Sequence, residues 1–175
     1  NPIGVVPNDA TFGGGGTSLI VAIGEYCGFE DLIIQESADG IENIDGYRIL
    51  AVGYNNNTAL VMALGEDGTF YDPLFGGGNS RVIKSVGFGA SFYDILGLCN
   101  GGFIVSGYGI TNGLNFLSVK YTVDGDEDPT FGSGGSIMLA NTYPTPSYSF
   151  APLDNGTILY AGYLEFLNVT CLALE

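Results

Sequence analysis

The residues with the densest potential for chemistry are acids. Asp124, Asp126, Glu127 and Asp128 place four carboxylates within five residues around Gly125. Hard divalent cations want several oxygen ligands at such density, so this stretch is a candidate calcium site. It lacks EF-hand spacing, and the matching stretches elsewhere, Glu66-Asp67-Gly68 and Asn8-Asp9, hold fewer acids. A second candidate is the pair Asp31 and Asp94, at matching positions early in two predicted strands, with Ser149 at the third. Paired carboxylates are the glycosidase arrangement, which needs neither His nor a metal. Acids repeated at one structural position also serve a plainer purpose, accepting hydrogen bonds from neighbouring backbone amides. Tyr143, the run Asn55-Asn56-Asn57 and the segment Tyr108 to Asn112 combine Tyr with Asn, which suits stacking on glycans and also suits turns.

Composition removes other chemistry. The chain has no His, which excludes Ser-His-Asp and Cys-His catalysis and the His-containing zinc sites. With 4 Lys+Arg against 19 Asp+Glu the formal charge is −15, so there is no electrostatic footprint for nucleic acid or an anionic membrane surface. No run approaches the roughly 20 apolar residues of a membrane-spanning helix. At 46% hydrophobic and 13% charged residues the chain has ample apolar surface to offset its conformational entropy. The cysteines Cys27, Cys99 and Cys171 lack CxxC spacing and read as structural thiols, with one disulfide open to them in an exported protein. A start at Asn1 without a basic leader reads as a processed or excised portion of a longer, extracellular or cell-surface protein.

The elements that must position these residues recur. Asp9 to Gly13 reads DATFG, Asp72 to Gly76 reads DPLFG and Asp128 to Gly132 reads DPTFG; their phenylalanines Phe12, Phe75 and Phe131 are 63 and 56 residues apart. A second landmark, a run ending Gly-Tyr, falls at Gly53-Tyr54, Gly107-Tyr108 and Gly162-Tyr163, its tyrosines spaced by 54 and 55. Two motifs keeping one order and nearly one period define three tandem units, about 9–70, 71–126 and 127–175.

Each unit divides into four short runs rich in Val, Ile, Tyr, Phe and Thr between Gly/Asn/Asp turns, and no run carries a capped helical stripe. The predicted strands of the first unit are 17–23, 29–35, 47–54 and 59–64. Those of the second are 80–86, 92–98, 103–108 and 115–121, and those of the third are 136–140, 148–153, 157–163 and 169–174. Each unit is predicted to be one meander. Tandem four-stranded antiparallel units predict an all-β fold, a β-propeller segment of three blades. The DxxFG segments are then expected to connect one blade to the next, with the Phe anchored in the core between blades and the glycines accepting positive φ. Thirteen of the nineteen acids fall on the connections that share one end of such blades. The first unit also carries an inserted polar loop, Glu36 to Gly46, of a kind that forms binding surfaces on repeat scaffolds.

On these residues the chain resembles the delta-60 repeats, tandem segments described as a propeller domain of unknown function in large bacterial proteins. The shared pattern is the Asp-x-x-Phe-Gly segment, the Gly-Tyr run and the stretch SVKYTVDGD ending at Asp126, and it covers the chain in three copies. The sequence departs from the pattern at Gly102 and Thr157, where the family has Lys, and at Lys120, where it has Arg. The resemblance implies a propeller and no catalytic residues.

Rings usually hold about 4 to 8 blades, so three leave two open apolar flanks. Either two copies join head to tail in a six-bladed ring, or further blades of a longer chain complete it. The function expected is a structural or interaction module without catalysis and with no cofactor unless calcium; the alternative is a carbohydrate-binding or calcium-stabilised adhesive module.

Overall fold

The computed structural model describes residues 26–36, 46–65, 67–68, 74–139, 146–153, 157–162 and 172–174, and every regular element among them is a β-strand. β1 (Cys27–Glu36), β2 (Tyr47–Asn55), β3 (Thr58–Gly65) and β4 (Arg81–Lys84) make a four-stranded sheet in that spatial order. β5 (Gly89–Gly97), β6 (Phe103–Ile110), β7 (Leu114–Tyr121) and β8 (Ser136–Leu139) make a second. β9 (Ser147–Pro152), β10 (Ile158–Gly162) and β11 (Leu172–Leu174) make a third, three-stranded one. All neighbours pair antiparallel, so the all-β expectation holds. The predicted strand 17–23 and the motif residues Asp9, Phe12, Gly13, Asp72 and Tyr163 lie outside the described residues.

One expectation is corrected. The sequence period makes the strand at 80–86 the first of the second meander; instead β4 pairs with β3, and the strand at Ser136 likewise pairs back onto β7. The sheet and the sequence repeat are therefore one strand out of step, and the DxxFG segment lies inside a sheet, between its third and fourth strands. The cause is local. Gly76, Gly77 and Gly78 all take positive φ, as does Ser80, which reverses the chain; the Ser80 amide then donates to the Phe75 carbonyl (3.0 Å) and the Ala63 amide to the Ser80 carbonyl (2.9 Å). The chain leaves for the next sheet only after β4, at Gly87, where the Phe88 amide donates to the Ile110 carbonyl at 2.7 Å.

The sheets stack through a repeated pair of faces, as alternation along each strand requires. Leu50, Val52, Ala59, Val61 and Ala63 of the first sheet meet Phe92, Phe103, Val105, Leu117, Val119 and Tyr121 of the second in one buried cluster. Phe75 sits in that cluster, fully buried, with its ring 6.0 Å from Phe103. The expectation that the motif phenylalanine anchors a core between repeats is met there. The opposite face of the second sheet, with Ile104 and Phe116, packs on Phe150 and Tyr160 of the third. A polar clamp crosses the first interface. The Gln35 amide donates to the carbonyls of Gly101 (3.1 Å) and Gly102 (3.2 Å), while buried Arg48 donates to the Gln35 oxygen and lies over the Phe75 ring at 5.2 Å. Burial of the guanidinium is tolerable because its donors and its ring partner replace water.

Candidate functional site at the sheet edges

β1, β5 and β9 each form one edge of their sheet, and successive ones lie against each other. Each is irregular at the same register. Phe29 opposes Gly53 and Asp31 opposes Val52, so Glu30 bulges out; Phe92 opposes Gly107 and Asp94 opposes Ser106, so Tyr93 does; Tyr148 is the extra residue between Ser147, opposite Gly162, and Ser149, opposite Ala161. The bulge explains the glycine of the Gly-Tyr motif. A Cβ on Gly53 would stand 2.0 Å from the Gly28 carbonyl oxygen, on Gly107 2.0 Å from that of Ser91, and on Gly162 2.3 Å from that of Pro146. No side chain fits at that approach.

Immediately past each bulge comes the repeat-matched polar residue, Asp31, Asp94 or Ser149. Asp31 Oδ2 accepts the backbone amide of Ile95 on the next sheet at 3.1 Å, and Asp94 Oδ2 accepts that of Phe150 at 2.8 Å. The two carboxylates thus act as staples between sheets, each holding the residue that follows its own counterpart. Asp94 Oδ1 also accepts its neighbour Ile95 N at 2.9 Å, so the acids crowd one another. Desolvation, with proton sharing and repulsion from Asp94, raises the Asp31 pKa. The pair proposed as a glycosidase dyad is brought together, and both members are committed to backbone amides.

The bulges and the Gly-Tyr tyrosines also build a row of rings. Tyr93 stacks on Tyr148 (5.2 Å, 23° between planes) and tilts against Tyr108 (5.5 Å), while Tyr54 lies across Gly28, where a Cβ would sit 2.9 Å from its ring. Burial first, then Tyr108, Tyr148 and Glu30, pushes the Tyr93 phenol up to about 12. Tyr108 is raised by burial, then by Tyr54 and Glu30. Tyr54 and Tyr108 were singled out in the sequence by their motif; Tyr93, Tyr148 and Glu30 were not, because only strand register reveals a bulge.

The acid-rich stretch has another geometry. Glu127 pairs with Lys84 at 2.7 Å, and Asp128 pairs with Lys120 at 2.7 Å. Asp128 Oδ1 also accepts Thr130 Oγ1 (2.6 Å) and Thr130 N (3.0 Å), which fixes the turn carrying Phe131 and Gly132 and holds the Asp128 pKa down at about 2, led by Lys120. Gly76 and Gly132 both take positive φ with a strand carbonyl against them. The structure does not gather Asp124, Asp126, Glu127 and Asp128 into one ligand set, and among the described residues no group of three or more His, Cys, Asp or Glu is placed to hold a metal ion. Asn55 to Asn57 form the β2–β3 hairpin and Thr111 to Gly113 the β6–β7 hairpin, where Asn115 Nδ2 donates to Thr111 Oγ1 (2.9 Å) and the Gly113 carbonyl (2.9 Å). Cys27 and Cys99 are free thiols; Tyr143 and Cys171 lie outside the described residues.

These features define an all-β protein of stacked antiparallel sheets, stapled edge to edge by repeat-matched acids. No protein-family model matches the chain, and no curated protein matches it.

Proposed function

We propose that the chain is a three-blade portion of a β-propeller of the delta-60 type, serving as a structural and interaction module of a surface or extracellular protein. It works by stacking rather than by catalysis. One observation carries this reading: the face that the second sheet turns toward the first has an apolar counterpart on the first sheet itself. Cross-strand rows Ile34–Ile49–Leu64, Leu32–Ala51–Met62 and Leu60–Ile83 make that counterpart largely apolar, with Arg81 beside Met62 at its β4 edge. Leu60, Met62 and Leu64 on it are buried, but Leu32 is 58%, Ile34 62% and Ile83 43% exposed. The exposed apolar residues lie on the edge strands β1 and β4, in the register of an inter-sheet contact, and suit one more sheet. A second copy, head to tail, supplies one, as would further blades of a longer chain. The commitment of Asp31 and Asp94 to structural hydrogen bonds supports a scaffold over a hydrolase.

Sedimentation velocity at micromolar concentration tests the arrangement. A dimer that dissociates on Leu32→Asp with Ile34→Asp is expected for a head-to-tail ring. A monomer whose behaviour the double substitution leaves unchanged removes the self-association half of the proposal.

A further inference from the structure

The tyrosine row has more exposure than packing requires. Tyr148 is 53% exposed although it stacks on Tyr93, and Tyr54, Tyr93 and Tyr108 are only half-buried. Among the described residues none of these four hydroxyls has a protein hydrogen-bond partner, and the exposed Glu30 carboxylate on the β1 bulge, near enough to Tyr93 and Tyr108 to raise both phenols, makes neither a hydrogen bond nor an ion pair. A purely structural row would bury its ring faces, as the core places those of Phe116, Phe150 and Tyr160 against one another. Instead, electron-rich ring faces and a spare carboxylate meet at one end of three sheets. The basic side chains of the chain are spent elsewhere in at least three of four cases: Arg48 on Gln35 and Phe75, Lys84 on Glu127, Lys120 on Asp128.

We propose that Tyr148, Tyr93, Tyr108 and Glu30 form a recognition site for a cationic side chain, lysine or arginine, of a polypeptide partner. Aromatic faces attract such cations through their quadrupole, and a neighbouring carboxylate adds direct charge attraction. The net charge of −15 draws a basic partner toward the molecule, and the ring row gives the encounter a defined seat. Glu30 lies on β1 two residues before Leu32 of the apolar strip on the first sheet, but Tyr93, Tyr108 and Tyr148 lie on the other two sheets, so the Tyr148 variants test the site without touching that strip.

The experiment is calorimetric titration of the whole chain with a hexalysine peptide at 50 and 150 mM salt (about two Debye regimes), beside the variants Tyr148→Ala, Tyr148→Phe, Glu30→Gln and Asp126→Asn. Far-UV circular dichroism checks that each is folded. Removing the most exposed ring is expected to weaken binding about fivefold or more, and restoring a ring as Phe to keep it within about twofold. Glu30→Gln is expected to weaken it more than Asp126→Asn, which removes the same charge from an exposed loop. Equal losses for the two acid variants with no effect of Tyr148→Ala would mean simple polyanion attraction and overturn the proposal. So would a Tyr148-dependent response to a neutral oligosaccharide without any to the peptide.

Discussion

Asp31 and Asp94, on different sheets, accept hydrogen bonds from a single backbone amide, that of Ile95, at 3.1 and 2.9 Å. Burial first, and then the neighbouring Asp94 carboxyl, raise the Asp31 pKa, and the shared Ile95 amide offsets only part of that rise. The folded state then holds a proton on Asp31 at pH values where the unfolded chain has released it. Stability at this site is therefore present in acid and is lost as pH rises from the ordinary carboxylate value near 3.8 through the folded one. Asp31→Asn keeps an acceptor for Ile95 while removing the like charge. It is expected to raise the melting midpoint at pH 7 and to flatten its fall as pH rises above the ordinary carboxylate value near 3.8; a midpoint lowered at pH 7 would contradict the geometry.

Asp94 differs because its second oxygen is the acceptor for Phe150 N at 2.8 Å, across the second interface. Asp94→Ala leaves that amide without its partner in a largely buried setting and is expected to cost about 1–3 kcal/mol in urea unfolding. Asp94→Asn should recover most of the loss. Equal losses for both would mean that charge, not the acceptor, matters.

The described strands, the motif residues among them and even the stapling use of the matched acids were legible in the sequence, because Gly53, Gly107 and Phe75 recur at fixed distances from apolar runs. Which strand Arg81–Lys84 pairs with was not. Its residues are apolar enough for either neighbour, and the choice is made by the reversal at Gly76 to Ser80, a matter of φ angles rather than of hydrophobic period. The tyrosine row was hidden for a related reason. Tyr93 and Tyr148 read as ordinary alternating strand residues until a bulge shifts each out of alternation.

Glycines of the Gly-Tyr motif should be intolerant in a way that others are not. A methyl on Gly107 would meet the Ser91 carbonyl oxygen at 2.0 Å, and relief requires moving one strand away from another. Gly107→Ala is expected to cost about 3 kcal/mol or more. Gly113, with nothing within 4 Å of its missing Cβ, is the control, and Gly113→Ala should stay within about 0.5 kcal/mol of the parent.

Asp128 has the opposite pH behaviour to Asp31. Lys120 leads the causes that hold its pKa down at about 2, so its contribution is present above the ordinary carboxylate value and is lost as pH falls from about 3.8 toward 2. In a carboxyl-carbon NMR titration, Lys120→Met is expected to move the Asp128 midpoint upward. Its hydrogen bonds from Thr130 should keep that midpoint below 3.8. An unmoved midpoint would show that the turn, not the lysine, sets it.

Two buried tyrosines provide the sharpest internal comparison. Among the described residues the Tyr121 hydroxyl is the one buried side-chain polar atom without a hydrogen-bond partner, enclosed where its ring stacks on Phe103 (5.2 Å) and meets Phe92 edge-on. Tyr160, in the other inter-sheet core, pairs its hydroxyl with Ser118 Oγ at 3.0 Å. Folding strips water from both groups and compensates only the second. Tyr121→Phe removes an unsatisfied group at the loss of one atom of packing and is expected to stabilise the chain by about 1 kcal/mol. Tyr160→Phe deletes a satisfied hydrogen bond and is expected to destabilise by a similar amount, since Ser118 retains its bond to the Val105 carbonyl at 2.9 Å. Urea unfolding of the two variants reads the sign of each change. Loss of stability in Tyr121→Phe would mean that the Tyr121 hydroxyl is satisfied in solution.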